Sequence, residues 1–597
     1  MVLYLYKKTL IFAIVILFLG LSILPLINTV ISQKNIFYNK TEFFDFYKEP
    51  EELIIKDMKD GFGITYLLSN EVDFNIYNIT INTESFGRFF KIRSPKQINI
   101  TELKAGKTIK LKIRVFGIGI GPPISNTRIK LTINADDVKT LERIILLNVF
   151  GPFVKIISVF INDEESFEGY TLFSPVYHTT TYLINNSAEI VKTWKSDYIQ
   201  CADCYLIENG NLLRASLARI NPYFPGGGMT GRIEMFNWDG DLIWFFEYTN
   251  NQYCLNHGFE LMPNGNILMI AWETKTYAET IAEGRNPLTI PAGVLWPSYI
   301  IEVEPIFPEG GKIVWEWHVW DHLIQDYDPS KNNYGVVKNH PELIDINFGL
   351  PLGFMDWNHV NSLDYNEELD QILISSHIQN EIWIIDHSTT KEEAAGNSGG
   401  RYDKGGDLLY RWGNPQSYRV GGPDDQMLFG QHDARWIRKG CPGEGHITIF
   451  NNGFLRPKLF YSSVDEIIPP VDENGNYYLE PGSAYGPKEP VWNYTAENPT
   501  DFFSPIIAGA QRLPNGNTLI CNGFSGAFFE VTPEKEIVWT YNNLYPNLLN
   551  TQVSKIYRYP LNYSGIGDFS KDVVNKDFKA KNSGTFNFLN LLNYFKK

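Results

Sequence analysis

The stretch NHGFELMPNGN, Asn256–Asn266, ends in a Pro-Asn-Gly-Asn turn and carries His257 eight residues before the glycine of that turn. A turn of the same form precedes an apolar segment at Glu208–Asn211 and at Pro514–Asn517. Turns of this type between apolar runs are typical of neighbouring antiparallel strands. The stretch therefore belongs to a repeat made of β-strands.

A second signature, a variant of Gly-x-Ile-Val-Trp, accompanies the turn along the chain. It occurs at six places: Ala188–Lys192, Gly240–Trp244, Gly311–Trp315, Gly406–Tyr410, Lys488–Trp492 and Lys535–Trp539. Six copies at irregular spacings, stretched by long insertions, predict a six-bladed β-propeller over residues 156–560. The aromatic side chain that ends each copy is expected to pack between neighbouring blades.

The composition also favours an all-β protein. The chain has 597 residues, of which 14% are aromatic, and it contains 48 Gly and 33 Pro. This length is enough for two or more cores. Residues 35–155 alternate apolar with polar positions between Gly, Pro and Asn turns, which predicts a small β-sandwich domain with a spacer or docking role. Residues 561–597 are predicted to be a C-terminal tail.

The first residues have the pattern of a targeting segment. Lys7 and Lys8 precede Thr9–Ser32, a run without a charged residue. The run is long enough for a signal sequence or for a membrane anchor, and both alternatives stay open for residues 1–34. In either case the paired lysines remain cytoplasmic and the rest of the chain is exported. We therefore expect an extracytoplasmic protein that is secreted or membrane-anchored.

Charge and cysteine content exclude several classes of partner. The formal charge of −16 argues against nucleic acid, because a polyanion would be repelled. Five cysteines fit no disulfide framework in a chain of this length. Cys201 and Cys204 form a C-x-x-C that lies in the β repeat and has no second ligand pair, so neither a redox centre nor a zinc site is predicted. No cofactor is expected.

Superposing the repeats places histidine several times at one position. When the glycines of the turns are aligned, the position eight residues earlier is Ala202, His257 or Ala508. In two other copies a longer loop replaces the turn, and His359 or His432 takes the corresponding place. The innermost strands of a propeller face one channel, so these three imidazoles are expected to converge at one end of the axis.

Convergent imidazoles support two kinds of chemistry. Three histidines can hold Zn²⁺ with an open fourth position. Alternatively, one neutral ring attacks as a nucleophile while the others donate hydrogen bonds or protons. Asn361, two residues after His359, and His377 in SSHIQ add polar groups for an oxygen-rich ligand and favour the second chemistry. Spacing alone leaves both open.

Several motifs resemble those of a known family. In chain order NHGFELMPNGN, DWNHVNSLDYN, ILISSHIQNEIWIIDHST, GGDLLYRWGNPQ, FGQHDARW, IFNNG and GAQRLPNGNTLI resemble the bacterial and archaeal arylsulfotransferases that work without a nucleotide sulfate donor. The resemblance spans Thr180–Tyr545. It implies a six-bladed propeller that transfers a sulfuryl group from a small aryl sulfate to a phenol. It further implies that His432 is the transiently sulfated nucleophile, and that His257, His359 and Asn361 bind the sulfuryl oxygens or handle protons.

One position departs from that family. Its best-known members carry an arginine where this chain has His377, which is predicted, with Asn361, to contact the substrate. A histidine presents fewer donors than an arginine and is fully charged only at low pH. The exchange is compatible with a different anion, a different pH optimum or binding without transfer. Two alternatives therefore stay open: a non-catalytic cell-surface propeller that binds anionic or aromatic ligands, and a metal-dependent hydrolase.

Overall fold

The computed structural model of the chain describes residues 53–87, 89–121, 127–290, 292–350, 353–546 and 550–566. The first eleven described strands form a three-stranded sheet, in the order β1-β3-β7, and an eight-stranded sheet, in the order β2-β11-β10-β9-β4-β6 with β8 on β10 and β5 on β8. Their bounds are β1 Leu53–Lys59, β2 Gly61–Phe62, β3 Ile64–Asn70, β4 Ile76–Phe86, β5 Phe90–Ile92, β6 Gln97–Leu103, β7 Thr108–Ile113, β8 Val115–Gly119, β9 Arg128–Ala135, β10 Val138–Gly151 and β11 Phe153–Ile161.

The two sheets share one hydrophobic core. Ile64 and Leu68 of β3 and Ile81, Leu131 and Ile145 of the larger sheet belong to the same cluster, and each is fully buried. These side chains occupy alternate positions of their strands, because successive residues of a strand point to opposite faces. Two sheets over one core therefore form the N-terminal part of the described chain, and we call β1–β11 the sandwich module; the predicted bounds and the spacer or docking role of residues 35–155 stay predictions.

Six four-stranded antiparallel sheets follow, and each is built from strands that are consecutive in the chain, except that sheet 1 contains both the first and the last. Sheet 1 has β12 Gly169–Pro175, β13 Thr180–Asn185, β14 Ile190–Lys195 and β39 Val553–Pro560; sheet 2 has β15 Gln200–Leu206, β16 Leu212–Leu217, β17 Gly231–Phe236 and β18 Leu242–Glu247; sheet 3 has β19 Tyr253–Leu261, β20 Ile267–Glu273, β23 Ser298–Pro305 and β24 Gly311–His318; sheet 4 has β27 Val360–Asn366, β28 Gln371–Ser376, β29 Glu381–Asp386 and β30 Tyr410–Trp412; sheet 5 has β31 His432–Trp436, β32 Ile447–Asn451, β33 Ser463–Ile467 and β34 Trp492–Tyr494; sheet 6 has β35 Gly509–Arg512, β36 Thr518–Asn522, β37 Ala527–Val531 and β38 Ile537–Asn542.

The six sheets close into a ring. The inner strands are β15, β19, β27, β31, β35 and β39; each contacts the next, and β39 contacts β15. Strand β39 pairs with β12 from Gly169↔Pro560 to Pro175↔Val553, so the two ends of the ring join within one sheet. This is the radial arrangement of a propeller, and the predicted all-β class is confirmed.

Aromatic side chains of the outermost strands tie each sheet to its neighbour. Each of six such side chains donates a hydrogen bond of 2.8–3.2 Å to the following sheet, and the last donates to the first: Trp194 to Asn237 O, Trp244 to Gly310 O, Trp315 to Thr389 Oγ1, Tyr410 to Gly486 O, Trp492 to Pro533 O and Trp539 to Asn186 O. The repeated Gly-x-Ile-Val-Trp signature therefore marks the outermost strands. Five of its six copies end in one of these aromatic residues, and in the first copy Trp194 lies two residues after Lys192.

The remaining described elements are short. Two strand pairs lie in insertions of the ring: β21 Lys275–Thr276 with β22 Val294–Leu295, and β25 Leu323–Ile324 with β26 Ile344–Asp345. The described helices are α1 Tyr277–Ala282, α2 Lys391–Ala394 and six 3₁₀ turns at Pro287–Thr289, Val319–Asp321, Val337–Asn339, Pro415–Tyr418, Pro423–Asp425 and Pro499–Asp501.

Two predicted segments fall outside this description. Residues 1–34, the predicted signal or anchor, and residues 567–597 of the predicted tail lie outside the described residues. Among the helices that the structure does describe, none has the length and apolar character needed to cross a bilayer.

Candidate active site

The histidines at the repeated position lie at irregularities of the inner strands. The pairing register shifts between Leu255 and Phe259 in β19, between Val360 and Ser362 in β27, and from His432 onward in β31. Bulges of this kind redirect a side chain and are common beside active sites. The local backbone has positive φ, which is unfavourable for residues other than glycine: 51° at His257, 43° at His359 and 53° at Asp433.

Four imidazole rings lie in one continuous row. The ring centroids are separated by 4.6 Å between His257 and His359, by 5.2 Å between His359 and His377, and by 5.1 Å between His377 and His432. We call these four side chains the imidazole row. His377 directly follows β28, and its backbone N–H donates to His359 O at 3.2 Å. The structure thus brings together the three predicted catalytic histidines. His257 contacts His359 directly, and His377 lies between His359 and His432.

A chain of hydrogen bonds fixes the tautomer of His432. The side-chain nitrogen of Asn452 donates to Ser504 O at 2.7 Å, so the amide oxygen of Asn452 must be the atom that faces His432 Nδ1 at 2.8 Å. Because an amide oxygen only accepts, Nδ1 carries the hydrogen. The lone pair of the neutral His432 ring is therefore on Nε2, the nitrogen that takes no part in the hydrogen bonds with Asn452 and Ser504.

A buried carboxylate fixes His359. Asp356 Oδ2 accepts a hydrogen bond from His359 Nδ1, and Asp356 Oδ1 accepts one from Trp272 Nε1 at 2.9 Å. Asp356 is 1% exposed and the indole of Trp272 is fully buried. Since the carboxylate holds the hydrogen on Nδ1, the lone pair of the neutral His359 ring is on Nε2, an atom that can accept a proton.

His257 has the opposite tautomer. The side-chain nitrogen of Asn256 faces Val360 O at 3.3 Å and His257 Nδ1 at 3.0 Å. Because the amide nitrogen donates to both, His257 Nδ1 is an acceptor and the hydrogen of the neutral ring is on Nε2. In the row, the neutral rings of His432 and His359 therefore have the lone pair on Nε2, and the ring of His257 has the hydrogen there.

Asn361 links two parts of the site. Its side-chain nitrogen donates to Gln431 O at 2.8 Å, directly before His432. Within the described part of the chain its Oδ1 is buried and accepts no hydrogen bond. Asn361 therefore stabilises the approach of β27 to β31, and its predicted substrate contact stays a prediction.

Burial keeps most of the row neutral. The pKa values of His257 and His377 are both held well below the usual range for histidine. Desolvation is the largest cause, and electrostatic repulsion by the neighbouring histidines is the next largest. Desolvation also lowers the pKa of His432 to about 4, although its hydrogen bond with Asn452 acts in the opposite direction. Lys555, which pairs with Asp203 at 2.9 Å and Asp433 at 3.1 Å, further disfavours the charged form of His257 and His432. A neutral imidazole is the form that acts as a nucleophile.

This neutrality predicts a loss of stability in acid. A histidine of the unfolded chain takes its proton near pH 6.5, whereas His432 in the folded protein takes it only near pH 4. Between these values the unfolded state binds more protons, so the free energy of unfolding falls as the pH is lowered. The fall attributable to this side chain approaches about 1.4 kcal/mol per pH unit. Urea unfolding of the wild type and of His432→Asn at about pH 7 and about pH 5 measures it. The variant should lose less stability, and equal losses would contradict the prediction.

A glycine-rich loop lies against the row. The segment PGGG, residues 225–228, belongs to the connection between β16 and β17 of sheet 2. A Cβ atom built on Gly228, whose φ is 78°, would lie 2.1 Å from His257 Cε1, and one on Gly226 would lie 2.9 Å from the Trp272 ring. The backbone N–H of His257 donates to Gly228 O at 2.7 Å. Glycine is therefore required sterically where sheet 2 approaches His257.

We expect Gly228→Ala to displace the His257 ring and to lower the rate of any reaction that uses the imidazole row by about ten- to a hundredfold, since a shift of about 1 Å costs that much in positioned sites. Gly227→Ala is the matched control, because its Cβ would have as its nearest neighbour His359 Cε1 at 3.9 Å, an ordinary contact. Steady-state rates of the two variants are compared at equal folded fraction. Equal activity of both would show that the loop does not hold His257.

A metal-dependent reaction and a redox reaction find less support in the geometry of the described residues. In the described ranges no group of three or more His, Cys, Asp or Glu side chains has the spacing of a metal site. Cys201 and Cys204 both carry free thiols. Burial raises the pKa of the Cys201 thiol to about 12, which disfavours a reactive thiolate.

Sequence reasoning missed three parts of the site. Asp356 lies three residues before His359 in the quoted stretch DWNHVNSLDYN, and Asn452 lies in the quoted IFNNG. Both signals were present, but only the fold shows which side chains they meet. Gly228 carried no signal beyond the run of three glycines.

Comparisons with known proteins agree with the motifs. The sequence pattern of the family described as Arylsulfotransferase (ASST) matches residues 207–558, more than half of the chain. An arylsulfate sulfotransferase of Escherichia coli is 29% identical over 302 residues, which are 45% of this chain and 45% of that protein. Its counterpart from Lelliottia amnigena is 29% identical over 206 residues, 31% of each chain. The matched region thus spans less than half of the length of either relative.

Solved structures are only distantly similar. A protein of unknown function from Bacteroides caccae has a TM-score of 0.36 and 12% identity, with 66% of this chain and 99% of that chain covered. Virginiamycin B lyase from Staphylococcus aureus has a TM-score of 0.29 and 7% identity, with 67% and 87% covered.

Proposed function

The chain belongs to the arylsulfotransferase family, and on this premise we propose that it transfers a sulfuryl group from an aryl sulfate to a phenol through a sulfo-histidine at His432. The family membership predicted from the sequence motifs is confirmed by the match over residues 207–558. The covalent step, the substrates and the roles of individual residues are the proposal.

In the proposed first displacement, His432 Nε2 attacks the sulfur of the aryl sulfate. The new N–S bond forms as the ester S–O bond breaks, and the electron pair of that bond leaves with the phenolate oxygen. The phenolate takes a proton from protonated His359, whose Nε2 then has its lone pair. Asp356 stabilises the protonated form of His359 before this step, because its carboxylate accepts the Nδ1 hydrogen bond.

In the second displacement, the oxygen of the acceptor phenol attacks the same sulfur. The N–S bond breaks and returns its electron pair to His432, while the phenol proton passes to His359 Nε2. Each cycle therefore begins and ends with the same protonation states. His257 Nε2–H is positioned in the row as a donor to the sulfuryl oxygens, on which charge is concentrated in both displacements.

The observation that carries this proposal is the orientation of His432. The hydrogen bonds from Asn452 to Ser504 and from His432 to Asn452 leave a neutral ring with its lone pair on one defined nitrogen. The adjoining ring centroids at 4.6–5.2 Å supply the acid, base and donor that a two-step transfer requires.

Transfer is tested with the purified chain, a nitrophenyl sulfate donor and phenol as the acceptor. We expect nitrophenol and phenyl sulfate to appear in equal amounts, and only one equivalent of nitrophenol per chain when phenol is omitted. Inorganic sulfate in place of phenyl sulfate would identify a hydrolase. No phenyl sulfate with any of several aryl donors would refute the proposal.

A second candidate function is binding without transfer. It is favoured by His377. Burial holds the pKa of this histidine well below its usual range, so the ring is neutral where the best-known members of the family carry an arginine. A propeller of this kind would bind an aryl sulfate with an affinity that His432→Ala leaves unchanged. Calorimetric binding of an aryl sulfate by the wild type, with no phenyl sulfate formed in the transfer assay, would identify this second function.

A further inference from the structure

The sandwich module exposes a row of large apolar side chains. Phe62, Phe89, Ile118, Phe150 and Phe153 are each 51–77% exposed. They are cross-strand neighbours: Phe62 pairs with Phe153, Phe153 with Phe150, and Phe150 with Ile118. The backbone N–H of Ile118 donates to Phe89 O at 3.0 Å, which extends the series to the start of β5. We call these five side chains the apolar row.

The pairing places the apolar row on one face. Directly opposed residues of antiparallel strands project to the same side of a sheet. Five strands at about 4.8 Å spacing give the row a length of about 19 Å. Phe116 is two residues from Ile118 on the same strand and is 53% exposed, so it widens the surface. The exposed face of an antiparallel sheet is normally polar, and an apolar strip of this length marks an interaction surface.

Basic side chains flank the apolar row. A groove of about 510 Å³ next to Phe62 and Phe116 is lined by Arg93, Lys112 and Arg114. The guanidinium of Arg93 lies 5.8 Å from the centre of the Phe116 ring. Lys91 pairs directly with Phe116 across β5 and β8. The nearby acidic side chain Asp60 already forms an ion pair with Lys155 at 3.0 Å. The surface is therefore positive although the whole chain has a formal charge of −16.

We infer that the apolar row docks the sandwich module on the surface of an anionic bilayer. Exposed Phe beside Lys and Arg is the combination that binds the interface of such a bilayer, since the rings enter the headgroup region and the cations meet anionic lipids. The position of the row in the chain agrees. Residues 33–52 connect the uncharged run Thr9–Ser32 to the first described residue of this module, and 20 residues reach at most about 70 Å.

This inference concerns a surface and is independent of the proposed catalysis. A retained anchor would tether the chain to vesicles whether or not the apolar row touched lipid, so flotation cannot test it. The test must report on the row itself. A tryptophan placed in the row is quenched by brominated lipid only when the side chain enters the bilayer.

Full-length Phe150→Trp is reconstituted with phosphatidylcholine vesicles that contain phosphatidylglycerol and brominated lipid. The matched control is Phe307→Trp, which is 59% exposed, against 54% for Phe150, and lies between β23 and β24 of sheet 3. We expect brominated lipid to quench the tryptophan fluorescence that Phe150→Trp adds, and to leave the fluorescence that Phe307→Trp adds unquenched. The charge reversal Arg93→Glu/Arg114→Glu, combined with Phe150→Trp, should restore emission, and so should omission of phosphatidylglycerol.

Equal quenching of the two tryptophans, or none in either, would overturn the inference. So would concentration-dependent self-association in detergent that Phe150→Asp abolishes, because a second copy of the chain would then cover the apolar row. Binding of the row to a soluble protein in place of lipid would likewise leave Phe150→Trp unquenched in vesicles.

Discussion

Replacing His432 with alanine is expected to lower the rate of sulfuryl transfer by about 10⁴- to 10⁶-fold, the loss seen when a covalent nucleophile is removed. The reason is that both proposed displacements pass through a bond to His432 Nε2, whereas His359, the other ring with its lone pair on Nε2, is assigned to proton transfer. The rate of phenyl sulfate formation from a nitrophenyl sulfate donor measures the loss. Donor binding should change little, because the attacking atom contributes mainly to the transition state.

A second histidine variant serves as the control. The side chain of His340 is half-exposed, and its described hydrogen bond is to Glu342 at 2.9 Å, so His340→Ala should retain wild-type rates. Mass spectrometry of wild-type protein mixed with donor alone, and handled at alkaline pH, should place a sulfo group on His432. Transfer by His432→Ala within about tenfold of the wild type, with normal folding, would remove this residue from the covalent step.

The repeat was the part of the fold that the sequence predicted best. Each Gly-x-Ile-Val-Trp variant lies at an outermost strand because its aromatic side chain must reach the next sheet, as Trp244 reaches Gly310. Such a local and repeated requirement is visible in sequence. The positions of the insertions were also visible as irregular spacing, but their short strand pairs and helices were not, because these depend on contacts made within each insertion.

The histidines of the site were predictable for a related reason. His257, His359 and His432 occupy corresponding places of inner strands, so a one-dimensional superposition was enough to bring them together. The partners that define their chemistry come from elsewhere. Asn452 directly follows β32, the strand that pairs with β31, and Gly228 comes from a loop of sheet 2. Their contacts depend on register and on loop paths, which a single sequence does not specify.

The positive φ values at these places were not predictable from residue type. Histidine is seldom found with φ near 50°, and of these two residues only His257 has a neighbouring signal for a bulge, Gly258. The bulge follows from the packing of six inner strands into a ring, and it turns the imidazoles toward one another. Local preference and tertiary structure disagree at the candidate site, which is where such disagreement is expected in an enzyme.

Substituting Asp356 by asparagine is expected to lower kcat by about 10³- to 10⁴-fold while donor affinity changes little. The carboxylate accepts the hydrogen on His359 Nδ1 and so leaves the lone pair on Nε2. An amide with its oxygen directed to Trp272 Nε1 would instead present its N–H₂ to Nδ1, and the ring would move its hydrogen to Nε2. His359 could then no longer accept the proton of the acceptor phenol. Transfer rates at saturating donor measure the effect.

The acidity of the acceptor separates this role from a structural one. Phenols that carry electron-withdrawing groups need less help from a base, so Asp356→Asn should lose less activity with them than with unsubstituted phenol. The matched control is Asp370→Asn. Asp370 lies between β27 and β28 of sheet 4, and its carboxylate is hydrogen-bonded to His387 Nδ1 at 2.7 Å. This pair is not part of the imidazole row. That variant should keep wild-type rates with every acceptor. A uniform loss across acceptors in Asp356→Asn would mean that the carboxylate only holds Trp272 and His359 in place, and proton acceptance by His359 would have to be abandoned.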